Sequence, residues 1–245
     1  GNDPHDPFST APVTDLDSPL EQADLGSIRA MITPDLGSAA MSHAYSSIFV
    51  DRTSRFRHHF AAAIDASPDF TDGDNCFEVL RGVNFVAAHG GRVRDHRDSL
   101  SPNVVDNVDR GLAYSLADVA EAHLQQSRIA RAWLDLFEDI DVVICPAASS
   151  TPFPHDQWSV SEIDGETMET YMRWLGITYL PTMALACGIA LPCGLDQAGM
   201  PFGIQVLSAP GNDRLVAEVT KALESVLQCH DATRRPLPDL DSLRG

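Results

Sequence analysis

Two pairs of adjacent serines and a single lysine are the side chains in this sequence that could supply a hydrolytic nucleophile and its base. A serine hydroxyl attacks a carbonyl after a base removes its proton, and backbone N–H groups stabilise the resulting oxyanion. The pairs are Ser46-Ser47 and Ser149-Ser150, and neither lies in a glycine-rich segment that could donate such N–H groups. Lys221 lies in a helical pattern, where a solvated position is expected. We therefore predict no catalytic residue within this chain.

The histidines do not show the spacing of a metal site. Zinc sites pair close ligands with a distant third and fourth, and two ligands on one helix face recur at i and i+4. His89 and His96 are separated by six residues that include two glycines. His58 and His59 are adjacent, so they point to different faces of a helix. We predict no metal ligand in the chain.

The cysteines and glycines also fail to predict a cofactor. The five cysteines form an odd set, and three of them lie in apolar runs, where a thiol usually packs as a small buried side chain. Cys187 and Cys193 lack the C-x-x-C spacing of a redox pair. No G-x-G-x-x-G or G-x-x-x-x-G-K motif is present. We predict no cofactor and a reducing, cytoplasmic location.

Charge and hydropathy exclude two further classes of partner. The formal net charge is −18, and such a chain repels the phosphate backbone of nucleic acids at long range. No apolar run approaches the roughly 20 residues that span a bilayer, and no basic segment followed by an apolar block opens the sequence. With 44% apolar side chains, 245 residues can form a substantial core. We predict neither nucleic-acid nor membrane binding.

Apolar patterning predicts strands and helices along the chain. Residues 141–146 read DVVICP, four consecutive apolar residues closed by proline, which is typical of a strand buried on both faces of a sheet. Residues 189–195 and 201–207 are predicted strands around a turn in which Gly199 supplies a positive φ. The other predicted elements are a strand at 27–33, helices at 56–66 and 76–89, a helix at 107–139 with a break near Gly111 or Ser115, a segment at 167–187 that is helical until Pro181, and a helix from Asn212 or Asp213 to Leu227.

Four stretches of the sequence resemble the C-terminal half of amidase signature proteins. The most specific is LPCGLDQAGMPFGIQVLSAPGND at 191–213, which combines a hairpin turn, a G-[IV]-Q-[LV] strand and a Gly-x-Asp helix entry. The others are GNDPHDPFS at 1–9, IDVVICPAASSTPFP at 140–154 and the region 174–186. The resemblance implies an α/β fold with a mixed central β-sheet flanked by helices. Residues 1–245 would be the C-terminal part of one amidase-like domain, with an extended connector at 1–23 and a tail at 234–245.

The resemblance also implies an activity, the hydrolysis of carbon–nitrogen amide bonds. The family uses a Ser nucleophile, a cis-Ser and a Lys, which lie upstream of the region matched here, so this chain alone is expected to be inactive. The resemblance places Cys145, Trp174 and Thr178 at the border of the acyl pocket, with core packing as the alternative for Cys145 and Trp174. A small amide would be the substrate of the full-length enzyme. The alternative is a non-catalytic, degenerate relative or a subunit that docks with a separate N-terminal half. The expected protein partner is such an N-terminal half or, in a homo-oligomer, a second copy of the chain.

Overall fold

The computed structural model describes residue 5, residues 17–237 and residue 240. Of the predicted connector at 1–23, residues 1–4 and 6–16 lie outside the described part of the chain. Of the predicted tail at 234–245, residues 238, 239 and 241–245 lie outside it. The helices are α1 His43–Ser54, α2 Gly73–His96, α3 Pro102–Ala113, α4 Leu116–Leu136, α5 Gly176–Met183 and α6 Asp213–Leu227. The strands are β1 Arg29–Ile32, β2 Ala62–Asp65, β3 Val142–Pro146, β4 Glu162–Ile163, β5 Glu166–Thr167, β6 Cys187–Leu195 and β7 Pro201–Ser208.

Five strands form one sheet in the order β2-β1-β3-β7-β6. Strand β1 pairs in parallel with β2 and with β3. Strand β7 is antiparallel to both β3 and β6. The short strands β4 and β5 form a separate hairpin. The predicted α/β fold, with a mixed central sheet flanked by helices, is therefore confirmed.

Strand β3 is buried along its whole length, as its run of apolar residues predicts. Successive side chains of a strand point to opposite faces, so β3 contributes to two core clusters. Val142 and Ile144 pack in the cluster that also contains side chains of α1 and α6. Val143 and Cys145 pack in the cluster that contains side chains of α2, α4 and α5. The sheet is thus covered by a helical layer on each face.

The predicted helix at 56–66 is wrong. The structure has a short 3-10 turn at Arg57–His59, followed by strand β2, whose Ala62 is opposite Arg29 of β1. Pairing with β1 overrides the local helical pattern, because β2 gains backbone hydrogen bonds that an isolated helical turn would not provide. The helix of this region lies earlier, in α1, where the Ser42 side chain accepts the N–H of Tyr45 and so caps the helix.

The long helical segment divides as predicted, near Ser115. Helix α3 ends at Ala113, and Tyr114 and Ser115 adopt extended backbone conformations. Ser115 begins α4 with a capping box, because its side chain accepts the N–H of Asp118 and the Asp118 carboxylate accepts the N–H of Ser115. The helix predicted at 76–89 is longer than expected and passes through both glycines to His96.

The C-terminal hairpin and helix are confirmed. Strands β6 and β7 pair across the predicted turn, where Gly199 has a φ of 79°. Helix α6 runs from Asp213 to Leu227. The segment predicted to be helical from residue 167 to Pro181 is wrong at both ends, because Thr167 belongs to β5 and α5 begins only at Gly176, continues through Pro181 and ends at Met183. No helix among the described residues is long and apolar enough to cross a membrane.

We predict that Gly111→Ala disrupts the contact between α2 and α3. A Cβ at position 111 would lie 2.3 Å from the carbonyl oxygen of Gly82, and a backbone atom cannot move aside as a flexible side chain can. The substitution should lower the free energy of unfolding by about 1–3 kcal/mol, the usual cost of overpacking. Urea unfolding followed by circular dichroism measures this change.

The matched control is Gly91→Ala in α2, where an added Cβ would meet nothing within 4 Å. Alanine favours a helix interior over glycine by about 1 kcal/mol. This variant should therefore be neutral or more stable than the parent chain. Equal losses of stability in the two variants would contradict the close approach of α2 and α3.

Candidate active-site wall

Gln205 of β7 connects the end of β3 to helix α5. Its side-chain Nε2 donates one hydrogen bond to the carbonyl oxygen of Pro146, at 3.1 Å, and another to the carbonyl oxygen of Ile177, at 2.8 Å. An amide nitrogen has two N–H donors, and here both are used. Gln205 therefore fixes the start of α5 against the sheet at the point where β3 ends.

Helix α5 is held from its other side by a polar cluster with α2. The Tyr179 hydroxyl donates a hydrogen bond to Asp74 Oδ1, and Arg173 Nη1 lies 2.7 Å from Asp74 Oδ2. The ring of Tyr179 stacks on that of Phe77, with centroids 4.0 Å apart. Burial raises the pKa of Tyr179, so the phenol remains a proton donor to Asp74 at neutral pH. These contacts fix the position of α5, but they do not place a reactive group there.

The three residues predicted to border the pocket lie in different environments. Cys145 is fully buried in the core, next to Gln205. Trp174 is half-buried and packs edge-on against Phe153, with centroids 5.4 Å apart. Thr178 is exposed on α5, and its hydroxyl donates to the carbonyl oxygen of Leu175. Cys145 thus lies in the interior, whereas Trp174 and Thr178 reach solvent; a role in a pocket remains a prediction for all three.

The candidate serines do not form a serine–base pair. Ser149 is buried, and its hydroxyl has no hydrogen-bond partner among the described residues. The Ser150 hydroxyl donates to the backbone carbonyl of Thr151, and that of Ser47 donates to the carbonyl of His43. The side chain of Lys221 donates to the carbonyl oxygen of Leu20 at 2.6 Å, at the surface of α6. None of these contacts could activate a hydroxyl.

The sequence reasoning missed a histidine–carboxylate pair, His43 and Asp164. His43 Nδ1 lies 3.1 Å from Asp164 Oδ2, which also accepts the backbone N–H of His43 and so caps α1. A carboxylate can orient a histidine as a general base, but the His43 side chain is 92% exposed, and no described serine hydroxyl is hydrogen-bonded to its imidazole. The Asp164-Gly165 dipeptide is a signal for the β4–β5 turn, but the contact with a residue 121 positions away has no sequence signal.

The end of β3, Gln205 and helix α5 together form the candidate active-site wall. A groove of 920 Å³ lies elsewhere, between the segment 22–26 and the end of α6. Three histidines line it: His58, His59 and His230. Across the residues that the structure describes, no group of three or more His, Cys, Asp or Glu side chains could hold a metal ion.

The five-stranded mixed sheet, with a helical layer on each face, matches the α/β fold of solved amidase structures. The sequence profile of the family described as Amidase matches residues 94–217, just over half of the chain. The chain belongs to the amidase family.

Known relatives agree with this assignment. The chain is 27% identical over 160 residues to a fatty acid amide hydrolase of Medicago truncatula, covering 59% of this chain. It is 22% identical over 232 residues to an acylamidase of Rhodococcus erythropolis, covering 92% of this chain. Its fold is similar to that of a chain in an inhibitor-bound complex associated with the origins of an s-triazine catabolic enzyme, with a TM-score of 0.80, 20% identity and 97% of this chain covered.

This chain spans no more than half of each of these proteins. The matched region covers 25% of the fatty acid amide hydrolase and 48% of the acylamidase. It covers 50% of the structurally similar chain. The fold of the relatives therefore extends well beyond the part that is matched here.

The burial of the thiols predicts their order of reaction with a thiol reagent. Burial raises the pKa of Cys145 and of Cys193 to about 12, so both stay protonated at mildly alkaline pH. Cys229 is exposed. Ellman's reagent should therefore label Cys229 first, and Cys145 and Cys193 only after the chain unfolds, as mass spectrometry of the labelled peptides would show.

Cys229→Ser is the control, and it should remove the fast phase without changing the slow one. Fast labelling of Cys145 in the folded chain would contradict its interior position. That result would instead place its thiol at an open pocket.

Proposed function

We propose that this chain is the C-terminal half of an amidase-type hydrolase that cleaves carbon–nitrogen amide bonds. The observation that carries the proposal is that the candidate active-site wall has a defined structure, while none of the candidate serines is paired with a base. Gln205 and the Asp74 cluster hold α5 firmly against the sheet. The four candidate serines, however, form no hydrogen bond to a lysine or histidine side chain among the described residues. Family membership supplies the reaction type.

In this proposal the chain binds and orients the substrate. Trp174 offers a partly exposed aromatic surface, and Thr178 an exposed position on the neighbouring helical turn, so both can border the acyl group. Cys145 supports them from the interior. A serine outside this chain attacks the amide carbonyl, the amine leaves, and water hydrolyses the acyl-enzyme, as the resemblance to amidase signature enzymes implies. A small amide is the substrate.

The proposal also covers the cellular compartment of the chain and whether the chain is active alone. All five cysteines are free thiols, which supports a reducing, cytoplasmic compartment. We propose that the chain is inactive until it is combined with the complementary half of the amidase fold. A degenerate, non-catalytic relative is the competing hypothesis, and the same missing nucleophile is compatible with it.

We predict that the purified 245-residue chain does not hydrolyse an aryl acylamide above the uncatalysed rate. The physical reason is that, among the described residues, none of the four candidate serine hydroxyls is hydrogen-bonded to a side chain that could accept its proton. Release of the chromogenic amine measures the rate. The same assay on a polypeptide that joins this chain to the coding sequence directly upstream should show turnover, with a serine-directed fluorophosphonate blocking it.

The control is a variant in which Ser46, Ser47, Ser149 and Ser150 are all replaced by alanine. Turnover by the parent chain that persists in this variant would show that the nucleophile has been wrongly assigned. Absence of turnover in the joined polypeptide would favour the non-catalytic relative.

A further inference from the structure

Helix α4 has a row of leucines on its solvent-exposed side. Its inner side carries Ile129 and Trp133, which pack in the core cluster against the sheet. Leu116, Leu124 and Leu134 are 85%, 44% and 48% exposed. With 3.6 residues per turn, these three leucines fall within about 80° of one another, on the side of the helix that faces away from the core. We call these three leucines the apolar row of α4.

The apolar row distinguishes α4 from the other helices. Among the described residues, α1 and α3 have one large exposed apolar side chain each, Val50 and Leu112, and α2, α5 and α6 have none. A single exposed apolar residue is normal on a protein surface, whereas a contiguous set marks an interaction site. The apolar row therefore indicates that another protein surface packs on α4.

The apolar row is symmetric about the middle of the helix. Leu116 and Leu134 lie nine residues before and nine residues after Gln125, and Leu124 lies next to it. Eighteen residues are five full helical turns, so Leu116 and Leu134 share one flank of α4. In an antiparallel pair of α4 helices with a two-fold axis at Gln125, Leu116 of each copy is opposite Leu134 of the other. The two copies of Leu124 meet near the axis, so this arrangement covers the whole row.

The charges of α4 follow the same symmetry. Glu121 and Arg128 are seven residues apart, about two turns, so they share the other flank of the helix. In the antiparallel pair, Glu121 of each copy lies within about one residue of Arg128 of the other. A parallel pair would instead oppose like charges, which is unfavourable. The two side chains are 63% and 52% exposed and form an ion pair within the chain, so both are accessible to a partner.

The remaining charged residues of the exposed side are compatible with this register. Arg131 falls opposite Ala120 of the other copy, whose small side chain leaves room for the guanidinium. Asp135 falls opposite Ser115, which is uncharged. No like charges are therefore opposed along the exposed side of α4.

We propose that α4 forms a homodimer interface, in which two copies of this chain pack antiparallel along the apolar row. The occupant is a second copy because the leucines and the charges both complement the same residues in reverse order, as a two-fold interface requires. Contact from Leu116 to Leu134 extends over about 27 Å, which fits the shallow helix crossing of about 20°. One pair of helices buries less than a standard interface, so we expect a reversible dimer with a micromolar dissociation constant.

Sedimentation equilibrium of the 245-residue chain tests the dimer. Over a range of micromolar concentrations, the mass should rise reversibly from 26.5 kDa to twice that value. Leu124→Glu places two carboxylates near the two-fold axis and should weaken association by about tenfold or more. The matched control is Val50→Glu on α1, where the side chain is 60% exposed, and it should leave association unchanged. Circular dichroism verifies that both variants are folded.

A pair of charge reversals tests the antiparallel register. Glu121→Arg or Arg128→Glu alone opposes like charges at both symmetric contacts, so each should weaken association by about tenfold. In an equal mixture of the two variants, each arginine of one chain is opposite a glutamate of the other. The mixed dimer should therefore form with about the affinity of the parent chain. The ion pair within each chain stays broken in the mixture, so it cannot account for this rescue.

Four other outcomes would overturn the inference. A monomer at every concentration would reject a second copy as the occupant. Association that Leu124→Glu does not weaken would place the contact on another surface, and failure of the mixture to restore association would reject the antiparallel register. A monomeric polypeptide that joins this chain to the upstream coding sequence would show that the upstream segment covers α4. Amide hydrolysis by that polypeptide tests the proposed function separately, since the dimer does not depend on it.

Discussion

The burial of β3 on both faces is the constraint on which the rest of the structure depends. A strand with four consecutive apolar residues cannot leave either face in water, so the sheet needs a helical layer on each side. Alternation then assigns the layers, with Ile144 facing α1 and α6 and Cys145 facing α2, α4 and α5. The mixed topology follows from the same position, since β3 joins the parallel pair to the antiparallel hairpin.

The end of β3 creates the site because it leaves a backbone acceptor at the edge of the core. The Pro146 carbonyl is satisfied by Gln205, and the second N–H of that amide reaches the first turn of α5. Gln205 is half-buried, and an N–H that lost its partner there would be only partly solvated, so the two contacts favour a single position of the helix. The Asp74 cluster restrains the same helix from α2, and the position of Trp174 and Thr178 follows from both.

Much of this fold could be predicted from local patterns, but the contacts that position the wall could not. The apolar run of β3, the spacing of the apolar residues in α6 and the turn at Gly199 between β6 and β7 are properties of short windows of sequence. The error at 56–66 has a different origin, because β2 exists only through pairing with β1, some thirty residues earlier. The contacts of Asp74 with Tyr179 and of His43 with Asp164 span 105 and 121 residues. A short window of sequence contains no signal for a contact between residues so far apart along the chain.

The wall is suited to binding rather than to proton transfer. Burial keeps the Cys145 thiol and the Tyr179 phenol protonated at neutral pH, and the Asp74 carboxylate is already paired with Arg173. A group that is neutral, or fully engaged in an ion pair, can shape a pocket and fix a helix, but it cannot take a proton from a nucleophile. In the proposed amidase, the base and the nucleophile are therefore groups other than these.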